Sequence, residues 1–142
     1  MAVGGCFCGN IRIEYTGQPI ASALCHCDGC RKITGALYSY SLVINPDDLK
    51  VTGSPKAVAK VSDAGNRLNN FFCPECGTPI YGHKVDSANN PIGVVILRAG
   101  IFDNPELLNK RKPVAEIYTK QRVSWLSPIE GADQYPEGLA LP

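Results

Sequence analysis

Apolar and polar positions alternate with a period of two over Ile11, Ile13 and Tyr15, separated by Arg12 and Glu14, which predicts a half-buried strand. Residues 21–27 predict a second strand. Residues 37–44, rich in Tyr, Leu, Val and Ile and bounded by Asn45-Pro46, predict a third. Shorter strands are expected at Val51, at 58–61 and at 67–72. The run GVVIL within 93–98 does not alternate, so a strand buried on both faces is expected there, and 114–119 predicts one more. Between the second and third strands, Asp28 is positioned to cap a short helical turn through Arg31, Lys32 and Ile33 that Gly35 closes. Asp103-Asn104-Pro105 is a turn signal. Fourteen Gly and eleven Pro punctuate the whole chain, a rhythm that suits short strands rather than long helices. The expectation is a mostly β fold in one unit spanning 1–142, with an irregular Pro/Gly-rich tail over 126–142.

Charge narrows the function classes. Fourteen Lys+Arg against thirteen Asp+Glu leave a net charge of +1 in 142 residues, far from the basic excess of a domain that grips nucleic acid. No apolar run nears the ~18 residues that span a bilayer. The start, Met1-Ala2-Val3-Gly4-Gly5-Cys6, lacks the basic-then-apolar pattern of an export signal, so a cytoplasmic protein without membrane or nucleic-acid partners is expected. The GVVIL strand leaves a homo-oligomer open.

Seven cysteines change the picture most. They fall in three clusters, Cys6-Phe7-Cys8, Cys25-His26-Cys27-Asp28-Gly29-Cys30 and Cys73-Pro74-Glu75-Cys76-Gly77. In a reducing compartment, clustered thiols bind metal or do chemistry rather than form disulfides. Cys73 and Cys76 have zinc-knuckle spacing, with Gly77 permitting the tight turn, and a knuckle supplies two of the four ligands that a structural zinc takes. Cys6 and Cys8 are the remaining pair. A closed site on Cys6, Cys8, Cys73 and Cys76 follows.

Cys25, Cys27 and Cys30 are left as a three-sulfur cradle. Three protein ligands leave a fourth position for water or substrate, the mark of a catalytic zinc, and three thiolates suit it to holding a soft substrate thiolate. Two other readings stay open at this point: a redox thiol set, and a second closed site completed by His26 or His83. Strand parity turns His26 away from Cys25 and Cys27. Arg31 and Lys32 stand directly after the cluster, where they could neutralise a thiolate or grip a substrate carboxylate. Tyr38, His26 and His83 are the candidate bases. Phe71 and Phe72 are expected in the core.

Together GGCFCGNIRIEY, CHCDGCRKITGA, FFCPECGTPIYG and LRAGIFDNPE…AEIYTKQRVSWL resemble the glutathione-dependent formaldehyde-activating enzyme (GFA/CENP-V domain) family over about residues 4–125. The resemblance implies an Mss4-like β-tent of packed antiparallel sheets clipped by zinc knuckles. It also implies two zinc ions per chain, one structural on Cys6, Cys8, Cys73 and Cys76 and a second on Cys25, Cys27 and Cys30. The implied activity is that of a carbon–sulfur lyase or synthase with glutathione as co-substrate and S-hydroxymethylglutathione-like chemistry. Non-catalytic binding or chaperone-like modules share the Mss4-like fold and are the alternative.

Overall fold

A computed structural model describes residues 1–62 and 65–139 of the chain. Two sheets enclose the core. The smaller is the antiparallel order β1 (Ala2–Gly5), β2 (Arg12–Tyr15), β5 (Leu49–Thr52). In β2 the alternation expected from sequence is realised: Ile13 and Tyr15 are buried and Glu14 is exposed.

The larger sheet has eight strands in the order β11 (Asp133–Gln134), β10 (Ala115–Ile117), β3 (Ala21–Cys25), β4 (Ser39–Ile44), β9 (Pro91–Arg98), β8 (Pro79–Val85), β7 (Arg67–Phe72), β6 (Lys56–Val61). Its pairings are antiparallel except at one end, where β10 runs parallel to both β3 and β11. The core fills the space between the sheets with Ile11, Ile13, Tyr15, Leu42, Ile44, Val95 and Leu97. Full burial of side chains such as Ile44 and Leu97 stabilises by roughly 1.5–3 kcal/mol each. The close approach of β1 to the turn at Ile101–Phe102 depends on Gly4, because a Cβ there would lie 2.2 Å from the Ile101 carbonyl oxygen.

Register decides which residues share a face, since directly paired residues project to the same side. Leu42 pairs with Leu97 and Ile44 with Val95, on the core face. Cys25 pairs with Ser39 and Ser41 with Arg98, so these four lie on the opposite face. That explains a departure from expectation in β9. Val95 and Leu97 are buried, but Val94, Ile96 and Arg98 are only half-buried, because the second face carries a polar site instead of a second core.

Other boundaries shift for local reasons. β3 stops at Cys25 because Cys27, not Asp28, caps the helix α1 (Asp28–Thr34), accepting from the Cys30 N–H through its sulfur. Gly35 closes α1 in the left-handed region, as expected. Asn104 accepts from the Glu106 N–H and opens a short helix α2 (Glu106–Lys110) that the sequence shows only as a turn. The region expected to be an irregular tail contributes β11, and of it 140–142 lie outside the described residues. No helix is long and apolar enough to cross a membrane among the described residues.

Candidate metal centre

The first cluster joins the N-terminal hairpin to the turn after β7. Cys6, Cys8, Cys73 and Cys76 bring their sulfurs within 4.8 Å of one another, with Cys6 and Cys73 buried. Cys8 Sγ stands 3.6 Å from Cys6 Sγ and 3.7 Å from Cys73 Sγ. A tetrahedron of sulfurs at the usual zinc–sulfur distance has edges of about 3.8 Å, whereas a disulfide would need about 2.05 Å. The set therefore fits a tetrahedral ion.

The surroundings favour the thiolate at two of the four, Cys6 and Cys76. Ile11 N–H donates to Cys6 Sγ at 3.2 Å. Burial opposes ionisation of Cys6, yet that donor and the neighbouring thiols bring its pKa below the usual value. The Thr78 hydroxyl lies 3.2 Å from Cys76 Sγ and, with the Thr78 backbone, draws that thiol down to about 5. The turn beneath it is closed by Gly77 at φ 80°.

The second cluster is assembled from six consecutive residues. Cys25 ends β3, Cys27 caps α1, and Cys30 returns one turn into the helix with its N–H donating to Cys27 Sγ at 3.3 Å. The three sulfurs also lie within 4.8 Å of one another, and His26 is not among them. Hydrogen bonds from Cys25 and Cys27 hold the Cys30 thiol down to about 2, against burial and with help from Arg98 and the Ser39 hydroxyl. The same contacts push Cys25 upward. Three mutually hydrogen-bonding sulfurs form a donor set suited to exchanging protons for a soft cation. Three donors leave a tetrahedral ion one open position.

A family model described as glutathione-dependent formaldehyde-activating enzyme matches residues 1–121, a span that contains both clusters. The chain belongs to that family. Among curated relatives, a Sordaria macrospora protein is 31% identical over 74 residues, covering 52% of this chain and 31% of the relative. A Podospora anserina protein is 32% identical over 78 residues, covering 54% of this chain and 36% of the relative. Both are provisionally named glutathione-dependent formaldehyde-activating enzymes, and the chain spans about a third of the length of each. A crystal structure of a Rhodobacter sphaeroides protein has the same fold, with TM-score 0.51 at 22% identity, covering 75% of this chain and 94% of that one.

Within this family member, the flanking residues expected from sequence are distributed differently. Arg31 turns back to Asp28, Nη1 to Oδ1 2.7 Å, and Lys32 lies exposed on α1. His83 pairs in register with Val95 on the core face, its ring 5.1 Å from that of Phe71, so it stands across the sheet from Cys25. Phe71 itself is half-buried and stacks on Tyr81 at 4.5 Å, and Phe72 is also half-buried rather than in the core. Tyr38 is exposed at the site's margin, its ring 5.6 Å from His26.

His26 is 1% exposed and its Nε2 meets Glu116 Oε1 at 2.8 Å. Glu116 Oε2 also accepts from Ile129 N–H at 2.7 Å and Gln134 Nε2 at 2.8 Å, with Arg122 Nη2 at 3.4 Å. Burial alone would raise the Glu116 pKa, but these donors outweigh it and hold the carboxyl at about 2. The pair fixes the backbone between Cys25 and Cys27 from behind.

The residues that crown the cluster were not singled out in the sequence. Arg98 donates to Ser41 Oγ at 3.1 Å and to Asn70 Oδ1 at 3.4 Å, which aims its guanidinium along the site face. Gly82 makes room for this, since a Cβ there would come within 2.7 Å of Asn70 Oδ1. Lys60 reaches from β6 to the start of α1. Among the described residues, no carboxylate pairs with Arg98 or Lys60. The available signal was alternation: Ser39 and Ser41 share a face, and a lone Arg ends the GVVIL run.

Proposed function

We propose that the chain is a zinc-dependent carbon–sulfur lyase that joins a glutathione-type thiol to a formaldehyde-class carbonyl and cleaves the same adduct in reverse. The observation that carries this reading is a three-sulfur cluster with one ligand position to spare, beside a guanidinium that no carboxylate neutralises. A zinc ion on Cys25, Cys27 and Cys30 would keep a substrate sulfur in its thiolate form at neutral pH. A second zinc on Cys6, Cys8, Cys73 and Cys76 would be structural.

The chain's own residues supply orientation and charge. Arg98, fixed by Ser41 and Asn70, sets a positive charge beside Cys30 and offsets the negative charge that an incoming thiolate adds. The sulfur lone pair forms the new C–S bond, the carbonyl π pair moves to oxygen, and that oxygen takes a proton to give the hydroxymethyl thioether. No electrons pass to or from the protein. His26, buried and bonded to Glu116, is suited to holding the loop rather than to shuttling that proton.

Exchange spectroscopy on carbon-13 formaldehyde and glutathione at equilibrium tests the proposal. The zinc-loaded chain should speed exchange between free and thiol-bound carbon, and Cys27→Ser should remove that effect while remaining folded. Exchange no faster than in buffer, with two zinc ions bound per chain, would overturn it.

A further inference from the structure

Ser22, Ser39 and Ser41 are all buried in the larger sheet. Ser22 Oγ accepts from the Val114 N–H at 3.1 Å, and Ser41 Oγ accepts from Arg98 Nη1 at 3.1 Å. Ser39 differs. It is 2% exposed, and its hydroxyl is sealed from solvent and closes no hydrogen bond. Burying a hydroxyl without a partner is destabilising, and β-branched residues suit a strand better, so neither burial nor propensity calls for serine there.

Register sets that hydroxyl at the three-sulfur cluster. Ser39 pairs with Cys25, so the two side chains project to the same side, and the Cys30 sulfur lies within 4.8 Å of the Cys25 sulfur. The Ser39 hydroxyl favours the ionised form of Cys30, as does Arg98, which the neighbouring Ser41 holds. Ser39 and Ser41 thus converge on one sulfur, the second of them through Arg98. A thiol sulfur is a weak acceptor, whereas hydrogen bonds to charged acceptors are about twice as strong as neutral ones. A donor left open beside Cys30 is therefore matched to the form that this sulfur takes when it holds a cation.

We propose that Ser39 is a positioning residue of the three-sulfur site, its hydroxyl donating to the Cys30 thiolate once that sulfur holds a metal ion. The bond fixes the sulfur and draws charge away from it. Three thiolates crowd an ion with negative charge, and a fourth sulfur adds more. Ser39 thereby raises affinity for the ion and eases entry of the fourth ligand. This rests on the open site proposed above.

Co²⁺ alone is the probe, titrated into the full chain already carrying one equivalent of zinc in the four-sulfur set. The readout is the sulfur-to-cobalt absorption that Cys27→Ser removes. Ser39→Ala should bind Co²⁺ about tenfold more weakly, since loss of a hydrogen-bond partner to a metal ligand costs about 10–100-fold in affinity. Its absorption should also move to longer wavelength, because a thiolate without the hydrogen bond gives up an electron more readily. A change in packing alone would not move it. Ser39→Thr keeps the hydroxyl and should match wild type in both readings. Equal affinity or an unmoved band in Ser39→Ala, or a loss that Ser39→Thr shares, would overturn the role of Ser39 and leave the open site standing. A wild-type chain that takes up no cobalt beyond its zinc would overturn the open site itself, and the role of Ser39 with it.

Discussion

Replacing Glu116 with alanine removes one carboxylate and strands several donors at once. His26 Nε2, the Ile129 N–H and Gln134 Nε2 all point at it within 2.8 Å, and both Glu116 and His26 are 1% exposed. A single buried polar group left without its partner costs about 1–3 kcal/mol, and breaking a buried pair costs about 3–5 kcal/mol. Glu116→Ala should therefore lower unfolding free energy by about 3–5 kcal/mol, read from urea unfolding of the metal-loaded chain at pH 7. Glu116→Gln should cost about 1–2 kcal/mol, because its carboxamide oxygen still accepts on one side while its NH₂ leaves the donor on the other side unpaired. The pH dependence carries a sign. The folded carboxyl sits at about 2 against an ordinary 4.5, so its contribution is complete above 4.5 and disappears as pH falls toward 2. The stability gap between wild type and Glu116→Gln should hold constant from pH 7 down to about 4.5 and close below it. A loss under about 1 kcal/mol for Glu116→Ala would refute the view that this carboxylate braces the three-sulfur loop.

The two clusters should respond oppositely to loss of one sulfur. Cys76→Ser should prevent stable folding, since zinc binding at closed thiolate sites, about 10–16 kcal/mol in zinc-finger peptides, is folding free energy; circular dichroism reads this directly. Cys27→Ser should keep the native spectrum and lose one metal ion per chain by elemental analysis. Gly82→Ala should displace Asn70, free Arg98 and weaken thiol binding by about tenfold with little change in melting temperature, as measured by calorimetric titration. Gly4→Ala should destabilise by about 1–3 kcal/mol or more, because the added Cβ meets the backbone at Ile101 and Phe102 rather than a flexible side chain.

The sulfur sets were legible because ligand spacing is local: CxC, CxCxxC and CPxCG each fix their own geometry, and only their pairing across the chain needed inference. Strands with strict alternation or a dense apolar run, such as β2 and β4, were equally plain. β8 was missed because Pro79 and Gly82 interrupt its pattern, and Gly82 is there to admit Asn70. Arg98 and Lys60 were missed for a different reason. They are 38 residues apart in sequence, and only the register of β6 to β9 sets them on one face. Arg31 and Lys32 illustrate the converse, since adjacency to the cluster in sequence did not bring Arg31 to it once Asp28 offered a nearer partner.

The parallel strand β10 has a consequence for the order in which the molecule comes together. His26 and Glu116 are 90 positions apart, so the brace behind the three-sulfur loop leaves the ribosome long after the loop itself. All four sulfurs of the closed set are translated by Cys76, well before Glu116 appears. A nascent chain can thus lock its first ion while the edge of β3 still lacks β10. The three-sulfur loop gains its buried brace only after Glu116 has been made.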